Sequence, residues 1–471
     1  MICHAVSGFE TKPDRIGAGS ISGVSYVAPA ADVAILLVIT AGFAYGSTPL
    51  AVLFAWAIYF LFLNANYQFS KYTGSASGYY GYVAKSMGNR AGFITALWYV
   101  MFQFFSLAAF GLLGFATFLY YVSPSLEHIP YIWIAFVAVV AFFTFYLGYR
   151  GLRPSLNYSM ISASIEIGFL IVMGIIIAIR VGSGNTLNVF TLKPIGGNFS
   201  LLFFAMIFSI PLFAGSGTVI TLAEETKGSI RTIRRSIWIS MIVLLAALLI
   251  PAYALTVGYG VANMPSFSTL PDPGVIIFER YGGIAAGIIL IVLTVNSYLS
   301  SNVSLMSSVS RVIYSLGRDG VLPEGVTRTH PMHHSPYISV MILEIGGIVI
   351  AIIPSIFYGP FEGALILFSI NIFALLFTHL LVNASLPIYI RKNGLRMNAV
   401  THMVLPLLSI IAGAVIIYYS AFTSITEGNP ITAAVIIGLA YVLFAVIFGY
   451  TYGTMRPERI TDIGKFAVEE T

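Results

Sequence analysis

Apolar residues in this chain run on for about twenty positions at a time, and polar residues are confined to the short stretches between the runs. A helix crossing the hydrocarbon core of a bilayer needs about 20 mostly apolar residues. Runs of that kind stand near 16–44, 49–70, 92–122, 131–149, 157–180, 200–222, 235–258, 284–312, 337–357, 364–390, 402–421 and 431–452. Strands of a membrane barrel would instead alternate apolar and polar positions over about ten residues. The pattern therefore predicts an all-α membrane protein of twelve transmembrane helices with no soluble domain. Residues 1–15 and 453–471 read as short polar tails.

Two of these runs are broken in the middle. Span one holds Gly17-Ala18-Gly19-Ser20-Ile21-Ser22-Gly23-Val24-Ser25-Tyr26-Val27-Ala28-Pro29, and span six holds Pro211-Leu212-Phe213-Ala214-Gly215-Ser216-Gly217. Irregular backbone at bilayer depth is tolerated only where it is buried in protein or lines a cavity. Interrupted helices at equivalent places in two halves of a chain are the best sequence pointer to a transporter's binding site. Spans 1–5 and 6–10 are equal in number, and an odd number per repeat sets the second copy upside down in the membrane. The expectation is a five-plus-five inverted repeat, about 16–180 and 200–395, forming a core over 16–395 with the last two helices (396–452) outside it.

Composition agrees. The chain is 58% hydrophobic and 9% charged, with mean hydropathy +0.91, where a soluble domain is about 25% charged. Lys and Arg sharpen the topology. With the N-terminus inside, Arg180, Lys193 and Arg280 face outward and the remaining 20 of 23 fall on the inner side. That asymmetry is the positive-inside signal, and it predicts a multi-pass protein of the cell membrane with both termini cytoplasmic. The basic balance follows from topology, and nucleic acid is not an expected partner. The N-terminus lacks the basic-then-apolar pattern of a cleaved signal. One cysteine, Cys3, allows no intrachain disulfide. There is no C-x-x-C, H-E-x-x-H or phosphate-cradling loop ahead of a Lys, so neither an ATP-driven pump nor a cofactor is expected. His330, His333 and His334 sit in a loop at a spacing weak for a metal. No cluster of acids or ligands suggests a multispan enzyme or sensor.

The segment from Ser310 to Pro323, Ser-Arg-Val-Ile-Tyr-Ser-Leu-Gly-Arg-Asp-Gly-Val-Leu-Pro, continues to His330-Pro331 and Ser335-Pro336. It resembles the cytoplasmic signature of the amino acid–polyamine–organocation (APC) superfamily. Gly74–Val83 with Gly88, Gly92 and Phe93 is similar to that family's loop between helices two and three. Leu222–Lys227 with Arg231 is similar to the end of its helix six, and Asn383–Arg391 to the end of helix ten. Departures exist. Gly228, Ser229 and Arg234 stand where Asn-Pro and a later Pro are usual, and Ser22-Gly23-Val24-Ser25 replaces the usual Gly-Ser/Thr-Gly triplet. The resemblance implies a LeuT-like fold with discontinuous helices 1 and 6, and alternating-access transport with amino acid as partner and substrate. Arg318 and Asp319 with Glu224 and Glu225 are expected to hold the inner side closed.

An unwound helix frees N–H and C=O groups that are costly unless satisfied. A zwitterionic amino acid can satisfy both kinds. Its carboxylate suits a half-helix N-terminus and is expected near Ser22, Gly23, Val24 and Ser25. Its ammonium suits freed carbonyls near Phe213 and Ala214, with Gly215, Ser216 and Gly217 as the flexible turn. Phe208 and Phe213 are candidates for covering the substrate, against simple core packing. No Lys or Arg is at hand in these helices, so neutral, branched or aromatic amino acids are the default. Asp32 leaves a cationic one open, including a polyamine or other organic cation.

Intramembrane acids are functional candidates because their charged form is expensive there. Glu166 stands on helix five, where proton-coupled relatives are expected to carry a lysine; it would bind and release a proton, or else serve as a structural bond to helix one or eight. Ser297, Ser300 and Ser301, at i, i+3 and i+4, share a face of helix eight and offer oxygen ligands for Na⁺, with Ser300 and Ser301 foremost. A proton is favoured over Na⁺ as the coupling ion. Sodium symport and amino acid exchange are the alternatives.

Overall fold

The computed structural model describes residues 24–225, 229–270, 272–427 and 431–465. Its membrane helices, numbered in chain order, are α1 (29–44), α2 (Thr48–Phe69), α3 (89–122), α4 (Ile132–Tyr149) and α5 (Leu152–Val181). There follow α6, in the pieces Phe199–Ser209, Pro211–Phe213, Gly215–Thr218 and Val219–Glu225, and then α7 (Ser229–Tyr259) and α8 (Ile284–Arg318). The last four are α9 (Tyr337–Tyr358), α10 (Pro360–Lys392), α11 (Leu405–Glu427) and α12 (Ile431–Met455). Among the described residues, 11 helical stretches are long and apolar enough to cross a membrane. The first of them, Val24–Phe69, has 46 residues. At about 1.5 Å per residue it would overshoot a core of about 30 Å more than twofold. Tyr45, at φ 46°, folds it back at Tyr45–Ser47 into α1 and α2, which restores the twelve spans.

The packing carries the symmetry that the two breaks suggested. Helix α8 packs on α5 and α4 as α3 packs on α10 and α9, α7 packs on α5 as α2 packs on α10, and α4 and α9 pack on each other. Each contact becomes another when five is added to or taken from a helix number, as two like halves of five helices require. Helices α3 and α8 meet through small residues. A Cβ on Gly111 would land on the Asn302 side chain, and one on Gly114 on the Tyr298 ring, so glycine is what admits the close approach.

Several loops carry more order than their sequence suggested. The Ser310–Leu316 part of the signature is helical, because Val312, Ile313 and Leu316 stay buried and extend α8 to Arg318. A helix, Gly78–Met87, lies within the loop after α2, and the stretch before α8 folds as Val261–Thr269 and Pro273–Gly282. Residues 453–465 are no free tail. A short turn, Pro457–Ile460, tucks Ile460 and Ile463 into the core, and Asn89 Nδ2 donates to Thr461 O at 3.0 Å.

Among the described residues, side chains meet across the bundle towards both ends. At one end Phe208 of α6 stacks on Phe43 of α1 (5.6 Å between centroids) and on Phe368 of α10 (6.4 Å), with Phe204 edge-on to Phe43 at 4.6 Å. At the other, the basic end, Arg318 clasps Glu224 through two bonds of 2.8 and 3.0 Å. Glu224 also accepts from Ala76 N–H at 2.9 Å and Ser75 Oγ at 3.2 Å. Asp319 takes a different partner from the one expected. Its Oδ2 accepts Gly464 N–H at 2.8 Å and Tyr80 O–H at 3.0 Å, so residues 453–465 join the closure. The side chain of Glu225 lies outside the described residues.

Two outcomes follow from this packing. Gly111→Leu should lower the melting temperature of the purified protein, since overpacking costs about 1–3 kcal/mol; an unchanged melting temperature would mean that α3 and α8 have room to separate. Burial lifts the Asp319 carboxyl to about 6, against the bonds from Gly464 and Tyr80 that favour its charged form. With the folded value above the about 3.9 of a free aspartate, this group's stabilisation is complete below about pH 4 and lost as pH rises through about 6. Asp319→Asn should therefore flatten part of the fall in melting temperature over that window, and identical profiles for both proteins would assign the fall to other groups.

Candidate functional site

The first break is centred on Ala28. Residues 24–27 are helical, Ala28 adopts φ 60° and ψ 67°, and Pro29, which has no N–H to lose, opens α1. A left-handed alanine is strained by about 1–2 kcal/mol and persists only where its surroundings hold it. Those surroundings are visible. The freed carbonyl of Tyr26 accepts Ser301 Oγ of α8 at 2.5 Å, and the Tyr26 hydroxyl donates to Gln103 Oε1 of α3 at 2.5 Å. On the other side of the break, Ala30 N–H, in the first turn of α1, points at Glu166 Oε2 of α5 at 3.3 Å. A carboxylate at a helix N-terminus satisfies an orphan donor and faces the positive end of the helix dipole.

Glu166 is fully buried and receives three more donors: Ser162 Oγ at 2.7 Å, Asn296 Nδ2 at 3.3 Å and Ser297 Oγ at 2.5 Å. It thus ties α1, α5 and α8 together. Asp32, one turn into α1 at the start of the π turn Asp32–Leu36, is also buried and within electrostatic reach of Glu166. Neither of its carboxylate oxygens has a hydrogen-bond partner among the described residues.

The second break is held differently. Between Ser209 and Gly215 the chain makes a 3₁₀ turn, Pro211–Phe213, with Phe213 N–H on Ile210 O and Ala214 N–H on Pro211 O. Tyr59 of α2 donates its hydroxyl to Ala214 O at 2.9 Å, and that carbonyl also accepts Gly217 N–H at 3.2 Å. Tyr59 in turn meets His379 Nε2 of α10 at 3.3 Å. Beyond the break, Thr218 O accepts both Thr221 Oγ1 (2.9 Å) and Ser308 Oγ of α8 (3.3 Å).

Of the residues singled out in the sequence, Ser22 and Gly23 lie outside the described residues. Val24 and Ser25 sit at the first break and Ala214, Gly215, Ser216 and Gly217 at the second, all of them buried. Phe213 is buried at the second break, whereas Phe208 belongs to the aromatic closure. The helix-eight serines divide their work: Ser297 bonds Glu166, Ser301 bonds the Tyr26 carbonyl, and Ser300 Oγ turns back to Ser297 O at 3.2 Å. The polar partners Tyr26, Tyr59, Gln103, Asn302 and His379 gave no sequence signal, because a Tyr or Gln inside an apolar span reads like any other helix polar group. Around the breaks, Ser25 Oγ, Ser216 Oγ, Gln103 Nε2 and both amide atoms of Asn302 are buried without a hydrogen-bond partner among the described residues. Buried polar atoms in native proteins are satisfied by protein, water or ligand. Among the described residues there is no group of three or more His, Cys, Asp or Glu that could hold a metal ion.

Known proteins share this architecture. The solved structure of MhsT in complex with L-phenylalanine superposes with a TM-score of 0.54 at 14% identity, over 84% of this chain and 98% of that one. A point mutant of the manganese transporter of Eremococcus coleocola superposes with 0.55, also at 14% identity, over 97% and 98%. In sequence, the branched-chain amino acid permease BcaP of Bacillus subtilis (strain 168) is 27% identical over 195 residues, a stretch covering 41% of this chain and only 39% of that protein. The amino acid permease family model matches residues 20–461, a stretch that spans both breaks, and by it this chain belongs to the amino acid permease family.

Proposed function

We propose that the protein is a secondary active transporter that carries a neutral amino acid through the cell membrane by alternating access, with both termini in the cytoplasm. The observation that carries this reading is the pair of breaks in α1 and α6, at matching places in two like halves, ringed by buried polar atoms with nothing to bond. A zwitterion supplies both a carboxylate for N–H and hydroxyl donors and an ammonium for free acceptors. The Ala214 carbonyl is already engaged by Tyr59, so the ammonium is assigned to the first break, with Ser25 and Ser216 as hydroxyl partners. The sidedness rests on Lys71, Lys85, Arg150, Arg318 and Arg391 at one end and Arg180, Lys193 and Arg280 at the other. An apolar side chain is supported by the absence of Lys and Arg in the break segments, by the branched-chain permease among the relatives and by the phenylalanine in the MhsT structure.

Transport then works through the two closures. The aromatic cluster around Phe208 and the Arg318–Glu224 clasp are opened in turn, while α3, α4, α8 and α9 serve as the scaffold against which α1 and α6 rock. The bonds of Glu166 to both α1 and α8 support a role for it in coupling a proton to this motion. That proton would be taken up on one side and released on the other.

Uptake of labelled leucine and phenylalanine into proteoliposomes under an imposed pH gradient is the direct test. Saturable uptake that putrescine does not compete for is expected; uptake of putrescine alone would turn the substrate into an organic cation. Glu166→Gln should flatten the pH dependence of that uptake, since an amide takes up no proton and cannot accept from Ala30 N–H through its nitrogen. A second reading, sodium coupling, is favoured by one observation: Ser301 Oγ and the Tyr26 carbonyl lie side by side as oxygen ligands. An unchanged pH profile in Glu166→Gln together with strict dependence on Na⁺ would select it.

A further inference from the structure

The outer face of α2 carries a groove that the transport reading does not use. Helices α7 and α11 both pack against α2. Between them, at the basic end, lies a cavity of 330 Å³ lined by Phe60, Tyr67, Lys71, Trp238, Met241 and Leu405, among others. All three helices end or begin here: α2 stops at Phe69, α7 starts at Ser229 and the turn Val400–Val404 leads into α11. The groove is therefore at headgroup depth at its mouth and at acyl-chain depth along its floor.

Its two ends differ in chemistry. The floor is aromatic and apolar: Trp238 stands edge-on to Phe60 at 4.7 Å and to Tyr67 at 5.9 Å. The surface around it, including Trp238, Ile242 and Leu408, is exposed and apolar, as a lipid-facing wall must be. The mouth is cationic. Lys71 lies over the Tyr67 ring at 5.1 Å and donates to Gln68 Oε1 at 2.5 Å. Arg234, close enough to act on Lys71 electrostatically, has a buried Nε with no hydrogen-bond partner among the described residues. His402 is also within electrostatic reach of Lys71; its Nδ1 accepts Asn398 N–H at 3.1 Å, which leaves Nε2–H as a donor. Among the described residues no carboxylate lines the groove. Burial first, and then the Arg234 guanidinium, pull the Lys71 ammonium below the usual lysine range. Two cations held together without an anion are an unfavourable arrangement that a bound anion would relieve.

We propose that this groove is a binding site for one anionic phospholipid, its phosphate held between Lys71 and Arg234 and one acyl chain laid along Phe60, Trp238 and Met241. A basic pocket between membrane helices with an apolar slot beneath it matches both parts of that molecule. A zwitterionic phosphocholine brings its own cation into the mouth and loses most of the advantage. The site stands apart from the breaks and does not depend on which ion or substrate is carried.

The test uses the full-length protein in vesicles of phosphatidylcholine into which dibrominated phosphatidylglycerol or dibrominated phosphatidylcholine is titrated, with tryptophan fluorescence as the readout. A parallel Trp238→Phe protein identifies the signal that belongs to the groove. The Trp238-dependent fluorescence should be quenched at about tenfold lower mole fraction by the glycerol lipid than by the choline lipid. Lys71→Gln combined with Arg234→Gln should abolish that preference while leaving quenching by phosphatidylcholine unchanged, which also shows that the variant is folded and inserted. Equal quenching by the two lipids in the wild type, or a preference that survives in the double variant, overturns the proposal. So does full displacement of the preference by millimolar inorganic phosphate, which would make the mouth a site for a soluble anion.

Discussion

A peptide group that gives up its helical partner inside a bilayer must find another, and the architecture around the transport path is arranged by that requirement. At Ala28 the chain leaves the helix and re-enters it in two residues. The acceptor set free is taken by Ser301 and the donor set free by Glu166, so α8 and α5 are the price-setters of what α1 can do. At Ala214 the same role falls to Tyr59 of α2. The two breaks are thus alike in backbone and unlike in partners. The first is tied to α5 and α8 by side chains that can change charge or bind a cation, the second to α2 and α10 by neutral aromatics and a histidine. On the proposed function, that difference favours the α1 side of the site for ion coupling.

Because satisfied groups hold the breaks in place, the unsatisfied ones define what is left to bind. Ser25 lies just before α1, and Ser216, Gln103 and Asn302 come from α6, α3 and α8, which in the proposed cycle are both moving helices and scaffold. A ligand bonded by all four would link parts that must shift relative to one another, and its binding energy would be spent differently in each arrangement of the bundle. Ligand-driven change of conformation requires such a difference.

How much of this is legible in the sequence depends on the range of the interaction. Span number, span limits and the two breaks are local properties of apolar runs and of Gly and Pro placement; among the described residues the limits are read to within about six residues. Arg318 with Glu224 followed from motif resemblance, and Glu166 stood out because the charged form of an acid is expensive in the apolar run 157–180. The partners of Glu166 from α1 and α8 are 130 to 136 residues away in the chain, and nothing in a single sequence records such a distance. Tyr59, Gln103 and His379 escaped for the same reason. Asp319 was misread in detail: it was expected within the Arg318–Glu224 group, but the buried pair Ile460 and Ile463 carries Gly464 up to it instead.

That last contact changes what opening toward the basic end involves. The Arg318–Glu224 clasp joins α8 to α6 within the transport core, but the Gly464–Asp319 bond fastens α8 to the strand of chain that leaves α12, a helix outside the repeated halves. Movement of α6 away from α8 breaks the first and leaves the second whole, whereas any swing of α8 itself must drag or shed the strap. In the proposed transport cycle the extra helices would act as an anchor line, holding α8 while α1 and α6 travel.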